Sequence, residues 1–255
     1  MAVGGGGGGT RAGGHILLSD DGRTWRQTYE ARGRVNPVLY DDARGRLVAG
    51  GPGRTLLVSD DRGGTWRVGA TLESKNATHP RRGVYGNGVF LILGNRGGNG
   101  PPFWAAATPD GERVAGYTEG LPNTRALAFG DQDGPGGEPG RFVLAGPGGV
   151  LRSSVDGLSW EVHDRPAGDN LTSLVWTGRH FLTGTPSALL SSPDGVTWAE
   201  EPGRVRGRLL WSDGTRVIAT GWPGKMFYSP DRGRTWEPGN PLTANGINAV
   251  VRLSE

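Results

Sequence analysis

The sequence predicts an all-β fold, a β-propeller of six blades with four antiparallel strands in each blade. Short apolar runs such as "RLVAGG", "VFLILG", "RFVLAG" and "RVIATG" are separated by glycine-rich and polar turns, as is typical of strands. A turn of the form Ser-x-Asp, followed by Thr-Trp, recurs along the chain. Its copies lie about 40 residues apart, which is the repeat length of propeller blades. No segment has the long apolar periodicity of a helix.

The repeated turn defines the six units. The fullest copies are "SDDRGGTW" at residues 59–66 and "SPDRGRTW" at residues 229–236, and shorter copies begin at Ser19, Ser154 and Ser192. A sixth copy, "TPDGERV" at residues 108–114, carries Val114 where the others carry tryptophan. We call these six segments the Ser-x-Asp turns.

Each unit has the same order of elements, which predicts a four-stranded meander. One apolar run ends in a turn, a second ends in glycine, a third leads into the Ser-x-Asp turn, and a fourth strand follows the tryptophan. The N-terminal "MAVGG" matches a second strand, and "GINAVVRL" at residues 246–253 matches a first strand. We therefore expect the C-terminal strand to complete the N-terminal blade and to close residues 1–255 into a single domain without exposed strand edges.

The Ser-x-Asp turns resemble the Asp-box, or BNR repeat, of the sialidase-like β-propellers. The aspartate can accept hydrogen bonds from backbone N–H groups, a glycine such as Gly63 can supply a positive φ, and the tryptophan can pack against neighbouring strands. The resemblance covers the whole chain and implies structural turns on the face away from the ligand site. The Arg-Ile-Pro motif of the sialidases is absent, and no tyrosine is expected at the channel mouth. Sialidase chemistry is therefore not expected.

Strand order and the resemblance place the ligand site at the other end of the blades, at the top of the central channel. The loops there join second to third strands and enter each new blade. Guanidinium groups that converge in such a place bind anions in forked geometry, and an aromatic ring can cover a sugar. We therefore expect a ligand- or protein-binding module for an anionic or carbohydrate-like ligand or a protein partner. The candidate binding residues are Arg54, Arg81, Arg82, Arg96, Arg125, Arg206 and Trp222.

The alternative is an enzyme with its active site on the same face, such as a glycoside hydrolase of the sialidase-like fold. Such an enzyme needs two carboxylates on either side of the scissile bond. The candidates, assigned to the loops that enter blades, are Asp169, Glu119 and Glu73, with His79 as a possible acid or base. A binding function is favoured, and no cofactor or metal site is indicated.

The composition of the chain narrows the kinds of chemistry, cellular location and partner that are expected. The absence of cysteine excludes disulfides and thiolate chemistry, and together with the lack of a visible signal peptide it favours a cytoplasmic location. No apolar run is long enough to span a membrane. A net charge of +3 without a dense basic stripe argues against nucleic acid as a partner. The oligomeric state is not indicated.

Deletion of residues 246–255 tests the expected ring closure. The truncated protein should expose the edge of an inner strand and become insoluble, because an unpaired edge recruits other chains. Soluble yield and size-exclusion chromatography measure this outcome. A monodisperse truncated protein with an unchanged circular dichroism spectrum would contradict the closure.

Overall fold

The computed structural model describes residues 2–5, 13–73, 79–95, 103–131, 139–165, 170–171, 173–185, 188–201, 208–221 and 224–240. The chain divides into two compact units, one of residues 1–122 and 156–158 and the other of residues 123–155 and 159–255. In the described residues, the secondary structure is β-strand apart from one short 3-10 turn, Pro52–Arg54. None of these residues belongs to a helix with the length and apolar character needed to cross a bilayer.

The first unit contains three sheets. Their strands are β1 (Ala2–Gly5), β2 (Gly14–Leu18) and β3 (Arg26–Ala31); β4 (Val38–Asp41), β5 (Arg46–Gly50), β6 (Thr55–Ser59) and β7 (Arg67–Thr71); and β8 (His79–Gly86), β9 (Val89–Asn95), β10 (Phe103–Thr108) and β11 (Gly116–Leu121). In every sheet, consecutive strands pair antiparallel.

The second unit contains the other three sheets, with the same meander order. Their strands are β12 (Ala126–Gly130), β13 (Arg141–Ala145), β14 (Leu151–Ser154) and β15 (Glu161–Val162); β16 (Leu174–Trp176), β17 (Phe181–Gly184), β18 (Leu189–Ser192) and β19 (Ala199–Glu201); and β20 (Arg208–Ser212), β21 (Val217–Gly221), β22 (Lys225–Ser229) and β23 (Glu237–Pro238).

These sheets confirm the predicted architecture of six blades with four antiparallel strands. Five sheets have four strands, and the first has three in the described part of the chain. The three are the second, third and fourth strands that the sequence predicted for the N-terminal blade. The predicted closing strand at residues 246–253 lies outside the described residues.

Burial follows the apolar runs of the sequence. The second strand of a sheet is almost entirely buried, as in β9, where Phe90, Leu91, Ile92 and Leu93 are inaccessible to solvent. Such a strand is buried on both faces, which explains why it reads as a continuous apolar run instead of an alternating one. The outermost strands, such as β7, are largely exposed.

Hydrophobic clusters join neighbouring sheets within each unit. In the first unit, Trp66 of the second sheet packs against a cluster that includes Ile16, Tyr29 and Ala31 of the first sheet. In the second unit, Trp236 packs in the same manner beside Leu182 of the preceding sheet. Trp66 and Trp236 therefore each help to hold one sheet against the sheet before it, whereas Trp25 of the first sheet is exposed.

Hydrogen bonds to one carboxylate organise each fully described Ser-x-Asp turn. At residues 59–66, Ser59 Oγ donates to Asp61 Oδ1 at 2.8 Å, and the backbone N–H and hydroxyl of Thr65 donate to the two oxygens at 2.9 and 2.8 Å. Gly63 has the predicted positive φ of 94°, and its carbonyl accepts from the Trp66 indole at 3.2 Å. Residues 229–236 repeat this pattern. The turn thus fixes both the start of the fourth strand and the position of the indole.

These hydrogen bonds predict a loss of stability in acid. The backbone N–H of Thr65, the Thr65 hydroxyl and the Ser59 hydroxyl lower the pKa of Asp61 from 3.8 to about 2. A carboxyl group with a lower pKa in the folded state stabilises the fold above its unfolded pKa, and this stabilisation is lost as the pH falls towards the folded pKa. Tm should therefore fall between about pH 5 and about pH 2, and it should fall less in Asp61→Asn than in the wild type.

Differential scanning fluorimetry across this pH range measures the effect. The matched control is Asp42→Asn, which removes an exposed carboxylate outside the Ser-x-Asp turns and should keep the pH dependence of the wild type. An equal decrease of Tm in Asp61→Asn and in the wild type would show that the turn carboxylate is not the group that titrates.

Candidate functional site

The strand register defines two ends of each sheet. In the second sheet, Val38 pairs with Ala49, and Asp41 pairs with Arg46. The entry to the first strand therefore lies at the same end as the loop between the second and third strands, and we call this the loop end. The Ser-x-Asp turns lie at the opposite end, the turn end. The sequence predicted this separation, and it placed the candidate binding residues at the loop end.

Arg81 lies in a β-bulge at the loop end of the third sheet. Pro80 pairs with Gly94 and Arg82 pairs with Leu93, so Arg81 is an extra residue without a partner in β9. A bulge bends the strand and redirects the side chain of the extra residue. Arg81 is half-buried, and its Nε donates to Asn95 Oδ1 at 3.1 Å.

The loop ends of the second and third sheets are in direct contact around Arg81. The carbonyl of Arg81 accepts a hydrogen bond from Asn36 Nδ2 at 3.2 Å. The backbone N–H of Asn36 donates to the carbonyl of Gly50 at 2.8 Å. A Cβ atom on Gly50 would lie 2.4 Å from the carbonyl oxygen of Asn36 and 2.6 Å from Pro80 Cβ, so the contact requires glycine. We call Asn36, Gly50, Pro80, Arg81 and Asn95 the Arg81 cluster.

Arg54 is held at the loop end of the second sheet. It ends the 3-10 turn in the left-handed region, with φ 71°. Its Nη1 donates to the carbonyl of Glu73 at 3.2 Å, and its own carbonyl accepts from the N–H of Leu72 at 2.8 Å. The turn is therefore fixed to the residues that follow the outermost strand, and the half-buried Arg54 side chain has a defined position.

The hydrogen bonds of Arg54 and Arg81 described above go to neutral oxygens. At the turn end, by contrast, arginines meet carboxylates: Arg46 lies 2.6 Å from Asp60, and Arg67 lies 2.6 Å from Glu112. No carboxylate of the described residues forms an ion pair with Arg54 or Arg81. Within the described part of the first unit, the loop end thus keeps two half-buried positive charges without an acidic partner.

The loop end of the second unit has a similar backbone arrangement. The N–H of Arg125 donates to the carbonyl of Ala145 at 2.8 Å, and the Arg125 side chain is exposed. Gly146 is packed so closely that a Cβ atom there would lie 2.1 Å from the carbonyl oxygen of Asn123. The N–H of Leu171, which enters the next sheet, donates to the carbonyl of Gly146 at 3.2 Å. By strand register, Ala145 therefore corresponds to Gly50 of the first unit, and Gly146 corresponds to Gly51.

The other candidate residues fall into three groups. Three of them lie at the loop end: Glu73 and His79, which are exposed, and Arg82, which is half-buried. Glu119 was assigned to a loop that enters a blade, but it lies within β11, because this outermost strand continues to Leu121. Outside the described residues lie Arg96, Arg206, Trp222 and Asp169.

Sequence reasoning missed the two asparagines of the Arg81 cluster. Asn36 precedes a proline at the entry to a first strand, and Asn95 follows the apolar run of β9. Both asparagines lie at the ends of strand patterns in the sequence, and this position is the signal that could have identified them as loop-end residues. In the described residues, no group of three or more His, Asp or Glu side chains is arranged to hold a metal ion.

No protein-family model matches the chain, and no curated protein matches it. Among solved structures, the chain is similar to YCF48 bound to D1 peptide, with a TM-score of 0.60 and 20% identity over 90% of this chain and 76% of that chain. It is also similar to the WD40 β-propeller domain of Doa1, with a TM-score of 0.55 and 10% identity over 89% of this chain and 75% of that chain.

A third similar structure is the GH74 enzyme of Niastella koreensis, with a TM-score of 0.52 and 14% identity over 80% of this chain and 38% of that chain. At these identities, the comparisons concern the fold alone. Together with the six antiparallel meander sheets, they show that the chain has a six-bladed β-propeller fold.

The close contact at Gly50 predicts a cost for adding a side chain there. Gly50→Ala should destabilise the protein by about 1–3 kcal/mol, the usual cost of forcing extra atoms into a packed site. Urea denaturation measures the free energy of unfolding. Gly239→Ala is the control, because a Cβ atom there would meet its nearest neighbour, Met226 Cβ, at 3.4 Å. Equal stability of Gly50→Ala and the wild type would contradict the described contact.

Proposed function

We propose that this protein is a protein-binding β-propeller whose loop end recognises an acidic segment of a partner polypeptide. The observation that carries the proposal is the pair of half-buried arginines, Arg54 and Arg81, which are positioned by neutral oxygens in the described part of the chain. A guanidinium group that is already oriented forms a charge-assisted hydrogen bond with a carboxylate without losing much further side-chain entropy.

Other residues at the loop ends of the two units are part of the proposal. Arg82 lies beside Arg81 in β8, and Arg125 is exposed at the loop end of the second unit. We also assign Arg96, Arg206 and Trp222 to the binding surface, at the top of the central channel. Small anionic metabolites and carbohydrates are the other ligand classes that such a surface could accept.

The comparisons support a polypeptide ligand in preference to these small ligands. The structure of YCF48 was solved with a D1 peptide bound, so a propeller of similar fold can hold a peptide. We further propose that residues 1–255 form a single domain and that the Ser-x-Asp turns are Asp-boxes of the sialidase-like superfamily. The hydrogen bonds around Asp61 and Asp231 support this assignment of the turns.

A glycoside hydrolase is the second candidate, and the likeness to the GH74 enzyme favours it. This chain covers only 38% of that enzyme. The position of Glu119 within an outermost strand weakens this candidate, since the carboxylates were expected together in loops that enter blades. Asp169, Glu73 and His79 stay as the residues that this alternative requires.

Peptide selection tests the proposed function. A phage-displayed library of random peptides is selected on the purified full chain, and the best peptide is measured by fluorescence anisotropy. Selected sequences should be rich in Asp and Glu, and binding should weaken as salt is added because exposed charges are screened. Arg54→Gln and Arg81→Gln should each weaken binding about tenfold or more, since a hydrogen bond between charged groups is worth about 1.5–3 kcal/mol.

Arg23→Gln is the matched control, because it removes the same charge from an exposed position at the turn end, and it should leave peptide affinity unchanged. Selected peptides without acidic residues, or equal affinity in all three variants, would count against the proposal. Release of reducing sugars from a polysaccharide panel, abolished by Asp169→Asn, would support the hydrolase instead.

A further inference from the structure

A cavity of about 680 Å³ lies between the outermost strands of the second and third sheets. One side is formed by residues 69–71 and Glu73, which belong to β7 and the segment after it. The other side is formed by residues 112–114, Gly116 and Tyr117, at the end of the third Ser-x-Asp turn and the start of β11. This volume is within the range of about 300–1,000 Å³ that is typical of small-molecule sites.

The internal repeat explains why this space is open. One sheet earlier, Trp66 and Tyr29 are both packed on the cluster that joins the first and second sheets. The position that corresponds to Trp66 in the third sheet is Val114, and the position that corresponds to Tyr29 in the second sheet is Ala70. Two aromatic side chains are thus replaced by small ones, and both replacements line the cavity.

The backbone of the third Ser-x-Asp turn is intact, so this blade differs from its neighbour in the two missing aromatic rings. The N–H of Gly111 donates to Thr108 Oγ1 at 2.7 Å, and the N–H groups of Glu112 and Arg113 both donate to Asp110 Oδ1 at 2.9 Å. Val114 still packs against the cluster that contains Ala70. The turn beside the cavity therefore keeps the same backbone hydrogen bonds as the turn that precedes Trp198 in the fifth sheet.

The charged residues that line the cavity also indicate which charge a ligand should carry. Tyr117 presents an aromatic ring that is stacked on Trp104, with the ring centroids 5.8 Å apart. Three charged residues line the cavity, and two of them are already paired: Arg113 with Asp110 at 3.0 Å, and Glu112 with Arg67 at 2.6 Å. Glu73 forms no ion pair with any residue that the structure describes, so its exposed carboxylate favours a cation.

We propose that this cavity is a binding site for a small aromatic amine with an indole-sized ring. The ring occupies the place that Trp66 fills one sheet earlier, against Ala70, Val114 and Tyr117, and the ammonium group pairs with Glu73. Such a ligand combines apolar burial with a charge-assisted hydrogen bond. The cavity meets the loop end at Glu73, whose backbone carbonyl accepts a hydrogen bond from Arg54, but the proposal does not depend on the function proposed for the arginines.

A titration of the ¹⁵N-labelled full chain with tryptamine, indole and indole-3-acetate tests the proposal by NMR. Tryptamine should shift the amide signals of Gly69, Ala70, Gly116 and Tyr117. Its affinity should be about tenfold higher than that of indole, as expected for one added charged hydrogen bond, and indole-3-acetate should bind most weakly. Absence of shifts at these residues, or tighter binding of the anion, would overturn the proposal.

Two variants locate the site. Val114→Trp restores the missing indole and should abolish tryptamine binding, whereas Val155→Trp, at an exposed valine outside the cavity, should keep it. Glu73→Gln should lower the affinity for tryptamine to that for indole and leave the affinity for indole unchanged. Binding that survives in folded Val114→Trp would overturn the proposal. If Val114→Trp does not fold, the test rests on the comparison of Glu73→Gln with the wild type. The proposal is then overturned if Glu73→Gln still binds tryptamine more tightly than indole by the same factor as the wild type.

Discussion

The carboxylate of a Ser-x-Asp turn determines where the fourth strand begins and where the tryptophan lies. Asp61 accepts hydrogen bonds from the Ser59 hydroxyl and from both the N–H and the hydroxyl of Thr65. Because Thr65 is held in this way, the Trp66 indole reaches back to the carbonyl of Gly63 and packs on the preceding sheet. Contact between the first and second sheets therefore depends in part on a few hydrogen bonds within an eight-residue turn.

The same local character explains why the fold could be predicted. The residues that form a Ser-x-Asp turn lie within a few positions of one another, so the pattern of the turn is visible in the sequence. The spacing of these turns along the chain then predicts the number of sheets. The outermost strands were harder to assign. In β11, "GYTEGL" is mostly half-buried or exposed, so its polar residues and glycines resemble a loop. Glu119 was misplaced for this reason.

The candidate site was predictable only in part, because its geometry depends on contacts between sheets. Strand order alone was enough to place Arg54 and Arg81 at the loop end. It could not show that Arg81 is the extra residue of a bulge, since that depends on a one-residue difference in register between β8 and β9. The contact of Gly50 with Pro80 joins the second sheet to the third, and no local pattern within either sheet indicates it.

The two ends of the sheets differ in how strictly the repeat is kept. At the turn end, loss of one aromatic ring need not unfold a blade, because the hydrogen bonds around Asp110 persist without a tryptophan at position 114. At the loop end, glycines hold neighbouring sheets in backbone contact, so the side chains of the entering segments can vary. Specific binding surfaces can therefore arise at positions where the side chains differ from one blade to the next. The hydrogen bonds of the Ser-x-Asp turns, which recur in the blades, preserve the fold.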